Sequence, residues 1–276
     1  MTRLDSVLRR PAAAANVARN ARAERDRRKR WAPARDALWA MLDDVVAPGA
    51  RIAVVGAGNG DDLPIGRLAE RAGALVLLDV DPHAPRAARR HAPRAVRDRI
   101  ELLECDVTGG AADAIAAAAR RGGELDAEPA EHALPGAPYA VVVGDLFYTQ
   151  LLYPALVDLG LAPARRDGLL ARHQAALTRA AVRRLHASAP AGTVVHVHDP
   201  LAWWPGHPQP VALETVLAAA RRDVASALAL VAGGHGPRSS DPRPAVVALG
   251  RAIAATRIWH WPFAPGVDYL VVATVA

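Results

Sequence analysis

The stretch Arg51-Ile-Ala-Val-Val-Gly-Ala-Gly-Asn-Gly60 decides the fold. Ile52 to Val55 form a short uncharged run rich in β-branched residues, which suits a strand buried within a sheet. Gly56, Gly58 and Gly60 follow at once, and a backbone without Cβ atoms can turn tightly and lie close to a ligand. The pattern predicts a strand, a cradle made of Gly56, Ala57, Gly58, Asn59 and Gly60, and then a helix. It departs from the dinucleotide fingerprint, in which two residues separate the second and third glycines. The third glycine comes one position early, and Asp61 and Asp62 stand where a diphosphate would sit and would repel it. A nucleoside with a cationic or amino-acid tail suits this loop better.

Outward from the loop, the pattern repeats as strand and helix. Leu63 to Gly73 reads as a helix and Ala74 to Asp79 as a second buried strand. Asp79 follows Gly56 at about the interval where an acidic residue at the second strand tip meets a ribose diol, since a carboxylate accepts from both hydroxyls. Asp81 competes for that role, although the strand register favours Asp79. A helix over 82–97 and a third strand from Ile100 to Cys105 lead to Asp106-Val107-Thr108, and a helix over 110–121 follows. Asp106 or Thr108 would serve as the N-cap of that helix.

Together the glycine loop, Asp79 and Asp106 resemble the class I S-adenosylmethionine-dependent methyltransferases. The resemblance covers roughly residues 50–276 in order and architecture. It implies a seven-stranded, mostly parallel Rossmann-like sheet with helices on both faces and a C-terminal antiparallel hairpin. It also implies S-adenosyl-L-methionine as cofactor and S-adenosyl-L-homocysteine as product. Gly56 to Gly60, Asp79, Asp106, Val107 and Asp145 would bind that cofactor, with Asp106 taking the adenine amino group.

The rest of the chain fits this order. Residues 122–138 are rich in Gly, Pro and Glu and read as a long surface loop. The fourth strand, Tyr139 to Asp145, runs into Leu-Phe-Tyr-Thr-Gln-Leu-Leu-Tyr153. Ligands of open α/β sheets lie beyond the carboxyl ends of the strands, so Asp145, Phe147, Tyr148 and Gln150 are expected beside the reacting groups. A helix over 167–189 and a fifth strand from Thr193 to Asp199 come next. His173 is expected to be structural. His196 and His198 share a strand face by alternation but lack a third ligand, so no metal site is expected. His198 or Asp199 could act as acid or base at the strand tip. Residues 201–210, with Trp203 and Trp204, read as a loop shaping the acceptor pocket. A helix over 211–232, a Gly/Pro loop, a short helix and a hairpin around Pro265-Gly266 end the pattern.

Composition bounds the function classes. The 276 residues are long enough for a substantial core, and the single cysteine, Cys105, excludes intramolecular disulfides and cysteine-based zinc clusters. No apolar run is long enough for a membrane span or a signal peptide, so no membrane partner and a cytoplasmic location are expected. The net charge of +6 arises in residues 1–30, which hold ten basic and three acidic side chains. That segment reads as a solvated helix, over about 12–30, or as a lid. Nucleic-acid binding through it is a lesser reading. Residues 34–46 carry an amphipathic helical stripe, and Trp31 either packs on the sheet or roofs the pocket.

The sequence therefore predicts a helical extension over 1–48 and a cofactor-binding domain over 49–276. The expected activity is methylation, on oxygen or nitrogen, of a small-molecule acceptor, with Asp145, His198 and Tyr148 as candidate catalytic groups. Methyl transfer from a sulfonium depends on positioning, so a strong base is optional. Three rivals share parts of the pattern. An aminopropyltransferase would use a carboxylate at Asp145 but lacks an evident second acidic partner. The early third glycine and the hairpin count against a nicotinamide-dependent oxidoreductase. An RNA-binding protein retaining the cofactor fold would rely on the basic segment. The oligomeric state is not fixed by the sequence.

Overall fold

The computed structural model describes residues 10–22, 24 and 26–276. Expectations for the basic segment that fall on residues 1–9, 23 and 25 lie outside the described residues. Among the described residues, the first elements are helices α1 (Pro11–Ala21), α2 (Arg27–Arg30) and α3 (Ala32–Val45). There follow β1 (Arg51–Val55), α4 (Ile65–Arg71), β2 (Ala74–Asp79), α5 (Ala84–Arg90), β3 (Ile100–Glu104), α6 (Ala111–Arg120) and β4 (Val141–Asp145). The second half comprises α7 (Tyr153–Asp158), α8 (Pro163–Ser188), β5 (Thr193–Trp203), α9 (Leu213–Arg222), α10 (Val224–Gly233) and α11 (Arg243–Ala248). The hairpin β6 (Ala255–Ala264) and β7 (Val267–Val275) completes it.

The seven strands form one sheet in the order β3-β2-β1-β4-β5-β7-β6. The first five are parallel, and β7 runs antiparallel between β5 and β6. This is the sheet that the resemblance implies. Strands covered on both faces need apolar side chains at every position, which explains the uninterrupted runs in β1, β2 and β4. Ala53, Val55, Val76, Leu78, Val142 and Val194 pack with α1, α6 and α8 on one face. Ile52, Val54, Leu75, Leu77, Val143 and Val197 pack with α3, α4 and α5 on the other.

Several expected elements differ, each for a local reason. The helix over 12–30 is two pieces, α1 and α2, with a break after Ala21. The helix over 82–97 stops at Arg90 because Pro93 cannot supply an N–H, and a 3-10 stretch (Arg94–Arg99) replaces its end. The helix over 211–232 splits at Asp223, which is extended and whose carboxylate accepts from the N–H groups of Ala225 and Ser226 as the N-cap of α10. Helix α7 lies in a stretch to which the sequence pattern assigned no element. Strand β5 runs on to Trp203 through an irregularity between His198 and Leu201, so Trp203 belongs to the sheet and not to a loop. Pro200 sits inside that irregularity, where a missing N–H costs no ladder bond.

Candidate functional site

The neighbours of β1 are β2 on one side and β4 on the other, so the chain reverses direction across the sheet there. Such a switch point opens a crevice at the carboxyl ends of the strands. In this protein it is a cleft of about 1200 Å³. A pocket for a single drug-sized ligand is typically about 300–1,000 Å³, so this one has room for a cofactor-sized molecule and a second, smaller one.

One half of the cleft is built from the first three strand tips. Gly56, Ala57, Gly58, Asn59 and Gly60 line it, together with Asp79, Asp106 and Val107. Gly56 and Gly60 have φ of +80° and +65°. A Cβ on Gly56 would lie 2.7 Å from the Asp145 carbonyl, and one on Gly60 would lie 2.7 Å from Ala88 Cβ. Positive φ and close packing within the protein thus both call for glycine at these two positions. The Gly58 N–H donates to Asp79 Oδ2 at 2.7 Å, tying the loop to the β2 tip. The Asp81 N–H donates to Asp79 Oδ1 at 2.8 Å. Burial pushes the Asp79 carboxyl up to about 6, against these two hydrogen bonds. Asp81 does not line the cleft; it accepts from Asn20 Nδ2 and the His83 N–H.

Asp106 lines the cleft while also holding its own loop. Its Oδ1 accepts from the N–H and hydroxyl of Thr108, and its Oδ2 from the Gly110 N–H. The N-cap position of α6 is Gly110, without a side-chain cap bond, so Asp106 closes the loop ahead of the helix, and it is Thr108 Oγ1 that accepts from a helix N–H, that of Ala112 at 3.3 Å. The buried Arg184 of α8 fixes the same loop from behind: Nη1 donates to the carbonyls of Asp106 and Val107, and Nε to that of His132. Sequence offered no signal for Arg184 among 33 arginines.

The roof of this half comes from the basic segment. Asn59 Nδ2 donates to the Asn20 carbonyl, and α1 is anchored by Asp113 Oδ1, which accepts from the N–H groups of Ala12 and Ala13. Arg27 pairs with Asp61 at 2.6 Å, and Arg28 and Arg35 donate to the carbonyls of Gly60 and Asp61. Burial raises the Asp61 carboxyl, but hydrogen bonds from His91 and Arg27 outweigh it and hold the group below its usual value.

The other half lies beyond β4 and β5. Asp145 ends β4 and is buried. The next residue, Leu146, is the one non-glycine with positive φ among the described residues, at 48°. Strain of that kind persists only where surrounding packing enforces it, and it often marks a working site. Asp62 and Asp199 also line the cleft. Burial pushes Asp62 up to about 6 and Asp199 to about 7, the latter despite a hydrogen bond from Thr149 Oγ1. Burial raises Asp145 well above its usual value, and the charges of Asp62 and Asp199 push it further. Facing these carboxylates are Trp31, Trp261, Phe263 and Tyr269. Trp31 stacks on Phe263 and meets Trp261 edge-on, and its indole N–H donates to the Phe263 carbonyl at 2.9 Å. Trp261 and Phe263 alternate on β6 and so share a face, a spacing legible in the sequence but not used there.

Two expected catalytic groups are elsewhere. Tyr148 is fully buried behind the cleft, its hydroxyl 2.5 Å from His196 Nδ1, while His196 Nε2 lies 3.1 Å from His186 Nε2. His198 is buried against Asp241, 3.6 Å away, and burial lowers it to about 4 although the carboxylate opposes this. Neither side chain lines the cleft: both are buried in the core, away from the place beside the reacting groups expected for Tyr148 and the strand-tip acid/base place expected for His198. Alternation on β5 points His198 away from the carboxylates. Phe147 and Gln150 do line the cleft, and His173 is buried on α8.

No family model and no curated protein sequence matches the chain. Solved structures similar to it include a magnesium protoporphyrin IX methyltransferase from Synechocystis, at 13% identity and TM-score 0.43, over 87% of this chain and 80% of that one. A SAM-dependent methyltransferase from Aquifex aeolicus is similar at 10% identity and TM-score 0.43, over 91% and 93% of the two chains. A putative RNA methyltransferase from Pyrococcus horikoshii is similar at 12% identity and TM-score 0.43, over 88% and 81%. Likenesses this distant assign no activity, and the functional case rests on the residues of the cleft.

Proposed function

We propose that the protein is an S-adenosylmethionine-dependent methyltransferase acting on a small molecule, with residues 49–276 as the cofactor-binding domain and 1–48 as its helical extension. The observation that carries this reading is the convergence of the glycine loop, Asp79 and Asp106–Val107 on one half of a cleft at the β1/β4 switch point. Asp79 would take the ribose hydroxyls and Asp106 the adenine amino group, with the glycine loop beneath. Asp145, which lines the same cleft, would lie between the charged end of such a cofactor and the acceptor. When bound, the cofactor supplies a methyl group already activated on a sulfonium. The chain's own part is to orient, to exclude water and to hold charge, which suits an enzyme whose rate comes from positioning. Asp145 is the candidate base. No helix among the described residues is long and apolar enough to cross a membrane. A cytoplasmic site of action fits this reading.

Calorimetric titration with S-adenosylhomocysteine, and separately with NAD(H), tests it. Micromolar binding of the former alone is expected, weakened about tenfold or more in Asp79→Asn through the lost acceptor. Binding of neither, or of NAD(H) alone, overturns it.

An aminopropyltransferase is the second reading. The sequence argued against it for want of an acidic partner near Asp145, yet Asp62 and Asp199 act on that carboxyl. Product mass separates the two, since S-adenosylmethionine would yield a methylated acceptor and its decarboxylated form an aminopropylated one. Nucleic-acid binding through the basic segment is less favoured, because Arg10, Arg19, Arg27, Arg28 and Arg30 are all engaged within the protein.

A further inference from the structure

The half of the cleft beyond β4 and β5 gathers three carboxyl groups, of which Asp62 feels Arg27 and Arg35 while no described cation acts on Asp145 or Asp199. Asp62, Asp145 and Asp199 come from three different segments, and both of the others raise the Asp145 carboxyl. Carboxylates that nothing binds tend to be solvated or paired, because an isolated buried charge is costly. Asp61, next in sequence, obeys that rule through Arg27 and His91. Asp145 does not: it is 3% exposed, and its Oδ1 has no hydrogen-bond partner. A second unpartnered polar group stands on the opposite wall. Trp261 is 4% exposed, its indole N–H is unpaired, and it lines the cleft together with Asp62 and Asp145. Beyond it, Phe263 and Tyr269 turn aromatic surfaces toward the cleft, their ring centroids 4.9 Å apart. Aromatic faces attract cations through their quadrupole and bury apolar carbon equally well.

We propose that this compartment takes an amphipathic amine, its protonated nitrogen donating to Asp145 Oδ1 between Asp62 and Asp199 and its apolar body lying against Trp261, Phe263 and Tyr269. This deepens the methyltransferase reading by naming the acceptor class, and it rests on that reading for its link to catalysis. A neutral alcohol of the same shape would leave the carboxylates uncompensated. An anion would meet three carboxyl groups, and Asp145 and Asp199 among them have no described cation to offset it. The selectivity is therefore one of charge, with the aromatic wall setting shape.

The test uses the full chain saturated with S-adenosylhomocysteine and titrated with 2-phenylethylamine, 2-phenylethanol or 3-phenylpropanoate. The amine is expected to bind about tenfold or more tightly than the alcohol, the acid should not bind, and Asp145→Asn should weaken the amine by at least about tenfold. Asp199→Asn should weaken it by a smaller factor while leaving the affinity for S-adenosylhomocysteine unchanged. Thermal unfolding of each variant shows that it folds. Equal binding of amine and alcohol, tighter binding of the acid, or an unaltered amine affinity in both variants overturns the proposal. If S-adenosylhomocysteine itself fails to bind, the methyltransferase reading falls. The same amine series on the free protein then decides the charge selectivity by the same criteria.

Discussion

Arg184 Nη1 lies 2.8 Å from the carbonyl oxygen of Asp106 and 2.9 Å from that of Val107, so one guanidinium on α8 sets the position of the loop expected to meet the adenine. A lysine ammonium is a point charge and cannot hold these two carbonyls and that of His132 together. Arg184→Lys should lower S-adenosylhomocysteine affinity about tenfold and stability by about 2 kcal/mol, a loss typical of breaking a buried hydrogen-bond network. Calorimetric titration and denaturant unfolding check both.

Gly56→Ala and Gly58→Ala should differ. A Cβ at Gly56 meets the Asp145 carbonyl at 2.7 Å, which is backbone and cannot swing away, whereas at Gly58 the nearest atom is the Asn20 side-chain oxygen at 3.4 Å. Both positions carry positive φ, costing about 1 kcal/mol for alanine. The alanine at 56 should cost a further 1–3 kcal/mol or so by overpacking. Equal melting temperatures for the two variants would contradict this account of the loop.

Asp145 makes stability depend on pH in a defined direction. Its carboxyl holds a proton in the folded protein at pH values where the unfolded chain, titrating at about 3.9, has released it. Stability from this group therefore falls as pH rises above about 4. Asp145→Asn removes that penalty, so its melting temperature should exceed that of the parent by a margin that widens from pH 5 to pH 8. The gain should reach about 1–3 kcal/mol, the usual cost of an unpaired buried polar group. Asp62 and Asp199, raised to about 6 and about 7, keep a residual slope of the same sign in the variant.

His198 acts in the opposite sense. Burial lowers it to about 4, so below its usual 6.5 the unfolded chain takes a proton that the folded protein refuses. Stability is lost as pH falls from about 6.5 toward 4. His198→Leu should flatten the acid limb of the stability profile while costing little at neutral pH, because neither ring nitrogen has a hydrogen-bond partner. A melting temperature that falls equally steeply with acid in parent and variant would remove His198 from this role.

Asp113 caps α1 from a distance. Replacing it with alanine frees the N–H groups of Ala12 and Ala13 and should loosen α1 by about 1–2 kcal/mol, the range for a lost cap. Trypsin should then cut faster at Arg19 and Arg22, with the remainder of the protein resistant.

The strands of the cofactor half were legible because burial on two faces leaves an unbroken apolar run, and because glycines and a terminal aspartate punctuate those runs. Asp79 could be ranked above Asp81 by strand register alone. Tertiary partners were not legible. Asp62, Asp145 and Asp199 each read along the chain as a residue with a separate role, and they become a cluster only when β1, β4 and β5 pair. Tyr148 and His198 read as site residues because they flank strand tips, yet a half-turn after β4 and the alternation of β5 direct them into the core. The break at Asp223 was readable as a cap, but the continuous alanine-rich pattern around it argued for one helix.

The Trp31–Phe263 contact joins residues 232 positions apart in the chain. The glycine loop and the first three strand tips come from neighbouring segments, whereas the aromatic wall exists only while the early helices and the late hairpin are clasped together. A ligand seated against that wall would act as a fastener between distant parts of the polypeptide. Its arrival should slow amide hydrogen exchange in residues 27–45 and 255–275 together, even though the two stretches share no sequence neighbourhood.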